Sequence, residues 1–258
     1  MGKMDSGDVV EKQYSSPVKL ESRISLHEKY STNKMGWFNW LFSNYDIKQG
    51  DSILELGCGN GRLWEDHLSE LPEGVKLVLS DFSETMVETA SELIGHAGQV
   101  DYRAIDVQDI PFPDSSFDIV IANMMLYHVP DIDKGLSEIK RVLKPGGRFY
   151  CATFGQNDIG GFVKDALHIP RVNRAKFTLQ KGEECLKPHF NEIDKRLYED
   201  SLEVTDTMDL IEYIHTLSWA EDLQSINNSE MFSVLEGLKK DGVITIPKEY
   251  GTFIAVKA

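Results

Sequence analysis

Cationic residues are scarce in this chain: 27 Lys and Arg stand against 42 Asp and Glu in 258 residues, a formal net charge of −15 with histidine neutral. A surface that grips a phosphate backbone must be cationic and gains affinity by releasing counterions, so this balance argues against DNA or RNA as a partner. Cysteine is equally sparse. Cys58, Cys151 and Cys185 are odd in number and far apart, with no Cys-x-x-Cys and no Cys/His pair at zinc spacing. That pattern suggests neither a disulfide framework nor a structural metal. No run reaches membrane-spanning length, and residues 1–10 carry Lys3, Asp5 and Asp8 without an apolar stretch, so neither a signal peptide nor a membrane anchor is expected. A reducing cytoplasm is the expected location. There is no internal repeat or low-complexity tract. What remains, 41% hydrophobic and 27% charged, is an ordinary globular composition, long enough for one full core carrying an insertion.

Within that chain, apolar runs alternate with helical patterns as in an α/β fold with a parallel sheet covered on both faces. Strands are expected over 52–56, 75–80, 100–105, 117–122 and 148–154, then over 194–204 and 251–257. Helices are expected over 62–71, 83–94, 132–143, 207–217 and 230–240. The third is the clearest, since Ile132, Leu136, Ile139 and Leu143 form one stripe and Pro145-Gly146-Gly147 follows. Residues 1–34 read as an N-terminal arm, and 35–155 as the ligand-binding core, opened by an amphipathic helix with Phe38, Leu41, Phe42 and Tyr45. Residues 156–190 read as an insertion or lid, and 191–258 as the remainder of the core.

Four features fall at the carboxyl ends of successive strands, where open α/β sheets bind ligands. In Glu55-Leu56-Gly57-Cys58-Gly59-Asn60-Gly61, glycine at every second position permits positive φ and close approach of a ligand to the main chain. Asp81, at the end of the next strand, is placed to accept from ribose hydroxyls. Asp106-Val107 closes the third strand, where a carboxylate can take an adenine amino donor. Asn123 to His128 follows the fourth as a polar and aromatic segment. Together these describe a site for an adenosine-bearing ligand. The dinucleotide fingerprint G-x-G-x-x-G fails by one residue, because Arg62 stands where its third glycine belongs. A Tyr30–Lys34 pair at dehydrogenase spacing lies before the glycine loop instead of after it.

On the residues 54–61, Asp81, Asp106, the approach Pro111-Phe112-Pro113-Asp114-Ser115-Ser116-Phe117-Asp118 and Leu143-Lys144-Pro145-Gly146-Gly147, the chain resembles the class I S-adenosylmethionine-dependent methyltransferases, in particular the small bacterial ubiquinone-biosynthesis-type group. The resemblance spans roughly residues 35–155. It implies a Rossmann-like doubly wound seven-stranded sheet, mostly parallel, with an antiparallel last strand. It implies S-adenosylmethionine as cofactor and S-adenosylhomocysteine as product. Gly57, Cys58, Gly59, Asn60 and Gly61, with Glu55 and Asn123, would line the methionine and ribose portions. Asp81 would hold the ribose, Asp106 and Val107 the adenine edge, and Phe82 and Met86 the adenine face.

Methyl transfer needs little beyond alignment, since the sulfonium already carries an activated methyl. His128 is the candidate general base for an acceptor that must lose a proton, and Tyr30, Trp37 and Tyr127 are candidate walls of the acceptor pocket. Each has a plainer role: His128 as a loop anchor beside Val129-Pro130, Trp37 with Trp40 as core, and Cys58 as a space-filler. From 164 to 189, six Lys and Arg (Lys164, Arg171, Arg174, Lys176, Lys181, Lys187) face Asp165, Glu183 and Glu184, and His168 and His189 add to the excess; this reads most plainly as a solvated surface helix, with a basic lid suited to an anionic small molecule as the alternative. The expected function is methyl transfer to a small-molecule acceptor of unspecified atom. A non-catalytic S-adenosylmethionine-binding protein and, further off, a nicotinamide-dependent oxidoreductase are the rivals.

Overall fold

The computed structural model describes residues 17–95, 98–171, 175–217 and 226–258, with side chains from residue 24 onward. Seven strands form one sheet: β1 (Ser52–Leu56), β2 (Lys76–Asp81), β3 (Val100–Ala104), β4 (Phe117–Ile121), β5 (Leu143–Phe154), β6 (Glu192–Val204) and β7 (Ile244–Val256). Their order is β3-β2-β1-β4-β5-β7-β6, parallel from β3 through β5, with β7 antiparallel to both neighbours. Consecutive residues of a strand face opposite layers, so Ile53 packs under α2 (Trp37–Ser43), α3 (Arg62–His67) and the end of α4 (Glu84–Ile94). Leu54 and Leu56 pack on the other face against Leu136, Ile139 and Val142 of α5 (Ile132–Val142). Burial on both faces is why β1 and β4 are mostly apolar, interrupted only by Ser52 and Glu55 in β1 and by Asp118 in β4. Each such Leu or Ile, essentially inaccessible here, contributes roughly 1.5–3 kcal/mol.

The last two strands are longer than expected. β5 pairs with β7 only from Arg148 opposite Val256 to Phe154 opposite Tyr250, whereas β6 continues along β7 to Val204 opposite Ile244. The excess is a two-stranded ribbon, and it carries a third apolar core. Leu202, Val204, Ile244 and Ile246 pack there with α1 (Pro17–Tyr30), α6 (Ile159–Ala166), α8 (Thr207–His215) and α9 (Asn228–Glu236). The first half of β7 escapes sequence inspection because it contains Pro247. That proline is tolerated because β7 has a single neighbour at that level.

Several expected boundaries shift. Residues 17–30 of the proposed arm are a helix, α1, docked on α8 and β6; the rest of the arm before residue 17 lies outside the described residues. The helix expected to carry Tyr45 ends at Ser43. The one expected over 62–71 becomes 3-10 after His67, and the one expected over 230–240 runs from Asn228 to Glu236. α5 stops at Val142, ahead of Pro145, because the residue before a proline is disfavoured in the α region. β5 starts there, and its pairing jumps from Leu143 to Arg148 while β4 advances only from Phe117 to Ile119. The bulged Lys144 reaches back to Asp118 at 2.7 Å. Between β5 and β6 lie α6 and a short helix, α7 (Gly182–Leu186). Among the described residues no helix is long and apolar enough to cross a membrane.

An ion pair inside the ribbon fastens the amino-terminal segment to the sheet. Lys248 meets Asp200 at 2.6 Å, with both side chains almost wholly buried. Asp200 also accepts from the Ser31 hydroxyl at 2.5 Å and from the Asn33 backbone N–H at 2.9 Å. The ammonium lies over the Tyr198 and Tyr250 rings at 5.1 and 5.2 Å. Removing one partner of such a pair strands a buried charge. Asp200→Ala is therefore expected to lower unfolding free energy by about 3–5 kcal/mol in urea titration. Combining it with Lys248→Met should recover most of that loss, and a double variant as unstable as the single one would refute the charge argument.

Candidate functional site

β1 lies where the strand order reverses, with β2 on one side and β4 on the other, and a cavity of about 540 Å³ opens at the carboxyl ends of these strands. Its floor is the glycine loop. Gly57, Gly59 and Gly61 all have positive φ, at 73°, 57° and 81°. A Cβ on Gly57 would stand 2.8 Å from the Met125 side chain, so the bare backbone there is required by close approach as well as by conformation.

The loop is held by β2. The Cys58 N–H donates to Ser80 O at 2.8 Å, and the Gly59 N–H donates to Asp81 Oδ2 at 3.0 Å. Asp81 Oδ1 accepts from the Ser83 N–H at 2.9 Å, so one carboxylate ties the glycine loop to the turn that starts α4. Burial raises the Asp81 carboxyl above its ordinary value, against the pull of those backbone donors. Asp106 is held in the same manner: its Oδ1 accepts from the Gln108 N–H at 2.8 Å, and the Gln108 amide reaches both carboxylate oxygens at 3.2 and 3.3 Å.

Glu55, at the inner end of β1, is 3% exposed and accepts from the Trp64 indole N–H at 2.6 Å. Burial pushes its carboxyl up to about 7, opposed by the donors Trp64 and Asn123 and assisted by the negative Asp81. Asn123 donates to the Tyr45 hydroxyl at 2.7 Å, while its buried Oδ1 has no hydrogen-bond partner. Beyond it, Met124 takes a left-handed φ of 55°, an unfavourable state for a non-glycine residue that here turns β4 into the 3-10 turn Leu126–His128. The His128 ring lies 4.4 Å from Tyr127, and Tyr127 lies 4.7 Å from Phe154. Burial raises the Cys58 thiol well above its ordinary value, which removes it as a nucleophile.

All the sequence-predicted residues line this cavity except Gly61, Met86 and Tyr30. Gly61 caps α3 and faces Ala90 and Ile94 of α4. Met86 is fully buried in α4. Tyr30 is buried in the third core, and its hydroxyl donates to Asp209 at 2.5 Å. Phe82, half exposed, reaches the cavity from the turn after β2. Trp37 is both core and wall: it stacks on Trp40 at 5.4 Å and meets Tyr250 edge-on at 5.4 Å while lining the cavity.

Sequence reasoning missed Gln108, Phe154, Asp158, His27, Tyr213 and Tyr250, which also line it. Asp158 carried a local signal as the N-cap of α6, where it accepts from the Gly161 N–H at 2.8 Å. His27, Tyr213 and Tyr250 come from three distant elements and carried none.

The basic lid does not face the cavity. Arg62 is the only Lys or Arg among the described lining residues, and it pairs with Glu65 and Glu28. Within the lid, Arg171 bonds Asp165 at 2.6 Å, Lys187 bonds Glu183 at 2.9 Å, and His189 bonds Asp133 at 2.9 Å. Lys181 donates to Ala175 O at 3.0 Å, and Arg174 lies outside the described residues. Local acids and carbonyls absorb the excess that the sequence suggested for an anionic ligand, and the cavity itself is acidic, with Glu55, Asp81, Asp106 and Asp158 on its walls.

Residues 54–151 match the family model described as a methyltransferase domain. This stretch is similar to the class I S-adenosylmethionine-dependent methyltransferase domains. The ubiquinone/menaquinone biosynthesis C-methyltransferase of Francisella tularensis is 32% identical to the chain over 123 residues, 46% of this chain and 49% of that protein. The match thus spans about half the length of such relatives. Among solved structures, the YcgJ protein of Bacillus subtilis superposes with a TM-score of 0.61 at 17% identity, covering 85% of this chain and 97% of that one. A Haemonchus contortus phosphoethanolamine N-methyltransferase, solved with phosphomonomethylethanolamine and S-adenosylhomocysteine, gives 0.62 at 20% identity, covering 97% of this chain and 59% of that one. These two likenesses speak for the methyltransferase fold alone.

The folded chain should be less stable when Glu55 is ionised. Its carboxyl titrates near 4.5 in an open chain and near 7 here, so between those values the folded state holds more protons than the unfolded one and stability falls as pH rises. Glu55→Gln keeps an acceptor for Trp64 and loses the titration. The Tm of the variant relative to the parent is expected to climb from pH 5 to pH 7 and level off above. A difference independent of pH would refute the elevated carboxyl.

Proposed function

We propose that the chain transfers the methyl group of S-adenosylmethionine to a small-molecule acceptor by in-line displacement at the strand-end cavity. The observation that carries this reading is the convergence, at the reversal of strand order, of the glycine loop with three carboxylates from successive strands, Glu55, Asp81 and Asp106. The cavity suits the cofactor's chemistry. Gly57 leaves a cradle that a Cβ would fill, Asn123 Oδ1 is a buried acceptor without a partner, and the acidic walls suit a ligand bearing a sulfonium and an ammonium.

In this reading Gly57, Cys58, Gly59 and Asn60 receive the methionine and ribose portions, with Glu55 and Asn123 beneath them. Asp81 uses its remaining lone pairs for ribose hydroxyls, Asp106 and Val107 take the adenine edge, and Phe82 covers its face. The cofactor supplies an activated methyl on a good leaving group, so the protein's work is alignment and exclusion of water. Trp37 and Tyr127 wall the acceptor. His128 takes the proton from an acceptor that must lose one. The helix α1, through Ile24 and His27, and the 156–190 segment, through Asp158 and Ala175, close the cavity over the reactants.

Calorimetric titration with S-adenosylmethionine, S-adenosylhomocysteine and NADH in parallel tests the proposal. Micromolar binding of the two sulfur ligands and none of NADH is expected; NADH binding alone would overturn it. Asp81→Ala should weaken S-adenosylhomocysteine at least tenfold, about 1.4 kcal/mol, through loss of charge-assisted bonds and of the brace on Gly59. An unchanged affinity in a folded variant would remove Asp81 from the site.

A further inference from the structure

Beyond the cofactor half of the cavity lies a second half built from elements on the other flank of β1. Its walls are aromatic: Trp37, Phe38, Tyr127, Phe154, Tyr213 and Tyr250. The rings are not stacked into one solid block. Trp37 meets Tyr250 at 70° and Tyr127 meets Phe154 at 57°, so the rings are inclined to one another, while Trp40 stacks on Trp37 and the Lys248 ammonium lies over Tyr250. The carboxyl side chain on this flank is Asp158, from the turn after β5, on the opposite side of β1 from Asp81 and Asp106; burial raises it, against the pull of the Gly161 N–H and of Arg171 and Lys164. Its nearest cationic influences are Arg171 and Lys164, neither of which lines the cavity, and Arg171 is bonded to Asp165.

Electron-rich rings together with one carboxylate, and no lysine or arginine among the described lining residues of this flank, form a receptor for a cation. We infer that the acceptor is an amine, held as its ammonium form by Asp158 and the aromatic walls. The inference rests on the methyl-transfer reading and narrows it to nitrogen.

Charge balance supports the same choice. The ammonium gives its proton to His128 or to water, and the freed nitrogen lone pair attacks the methyl carbon. The N–C bond forms as the C–S bond breaks, and the C–S pair stays on sulfur as a neutral thioether. One positive charge moves from sulfur to nitrogen within acidic walls and is never cancelled. A phenolate or carboxylate acceptor would instead have to hold negative charge beside Asp158, which the cavity opposes.

The test uses the intact protein saturated with S-adenosylhomocysteine, titrated with benzyltrimethylammonium, benzyl alcohol and benzoate. The cation is expected to bind at least tenfold more tightly than either of the others. Asp158→Asn is the informative variant, because asparagine caps a helix as well as aspartate and the fold of α6 is kept while the charge is removed. It should abolish the preference for the cation and leave affinity for S-adenosylhomocysteine unchanged. Benzoate or benzyl alcohol binding as well as the cation, or an undiminished preference in Asp158→Asn, would overturn the amine assignment. Failure of the parent to bind S-adenosylhomocysteine would strike at the methyl-transfer reading itself and is seen before any probe is added.

Discussion

The site depends on one carboxylate clasp. Asp81 is bonded through one oxygen to the Gly59 N–H and through the other to the Ser83 N–H, so the end of β2 sets the conformation of the loop that leaves β1. A chain segment with three positive-φ glycines has much conformational entropy to lose, and without an external partner it would not hold a single path. The clasp supplies that partner, and the parallel pairing of Leu56 with Ser80 brings the two strand ends level. Gly57 can then run against Met125, which fixes the distance between the first and fourth strand ends. The cavity exists because these ends are held apart by backbone and joined by one side chain.

The opposite wall is set by a different device. Trp37 and Tyr250 belong to segments more than two hundred residues apart, and what brings them into contact is the β6–β7 ribbon with its buried Lys248–Asp200 pair. Asp200 gathers Ser31 and Asn33 on one side and Lys248 on the other, so the segment joining α1 to α2 is fastened where the aromatic wall begins. Such a pair is a poor source of net stability, since desolvation offsets most of the attraction. Its consequence here is geometric: with the hydrogen-bonding capacity of Asp200 directed at two other chain segments, alternative dockings of α1 would leave a charge buried and unpaired.

The half of the cavity at the ends of β1 to β4 was legible in sequence because each of its residues lies within a few positions of a strand end, and strand ends are visible as apolar runs that stop. Glu55, Asp81 and Asp106 needed only that local reading. Gly61 and Met86 were misplaced for the same reason: proximity in sequence to the loop does not reveal that Gly61 turns toward Ala90, or that Met86 points into the core. Tyr30 was assigned by residue type and is consumed by Asp209. The acceptor half was nearly illegible. His27, Tyr213 and Tyr250 come together only through the ribbon, and half of β7 was hidden by Pro247 and the polar residues around it. The excess of lysine and arginine over 164–189 fits its plainer reading as a solvated surface, because neighbouring acids and carbonyls capture those cations.

Those two halves also differ in what they fix. A glycine loop at the strand ends leaves the acceptor unspecified, because one fold hosts many functions. Specificity must come from the half assembled by β5, β7, α1, α6 and α8. There the absence of lysine and arginine from the described walls bears on the choice as directly as the six rings and one carboxylate that are present. A cavity that must already accommodate a sulfonium favours whatever acceptor lets that charge persist through the reaction. In the proposed reaction, moving a positive charge a bond length or two between sulfur and nitrogen requires little reorganisation of fixed dipoles, whereas neutralising it would leave the acidic walls facing an uncharged product. The same acidic walls that attract the cofactor therefore constrain the chemistry of its partner.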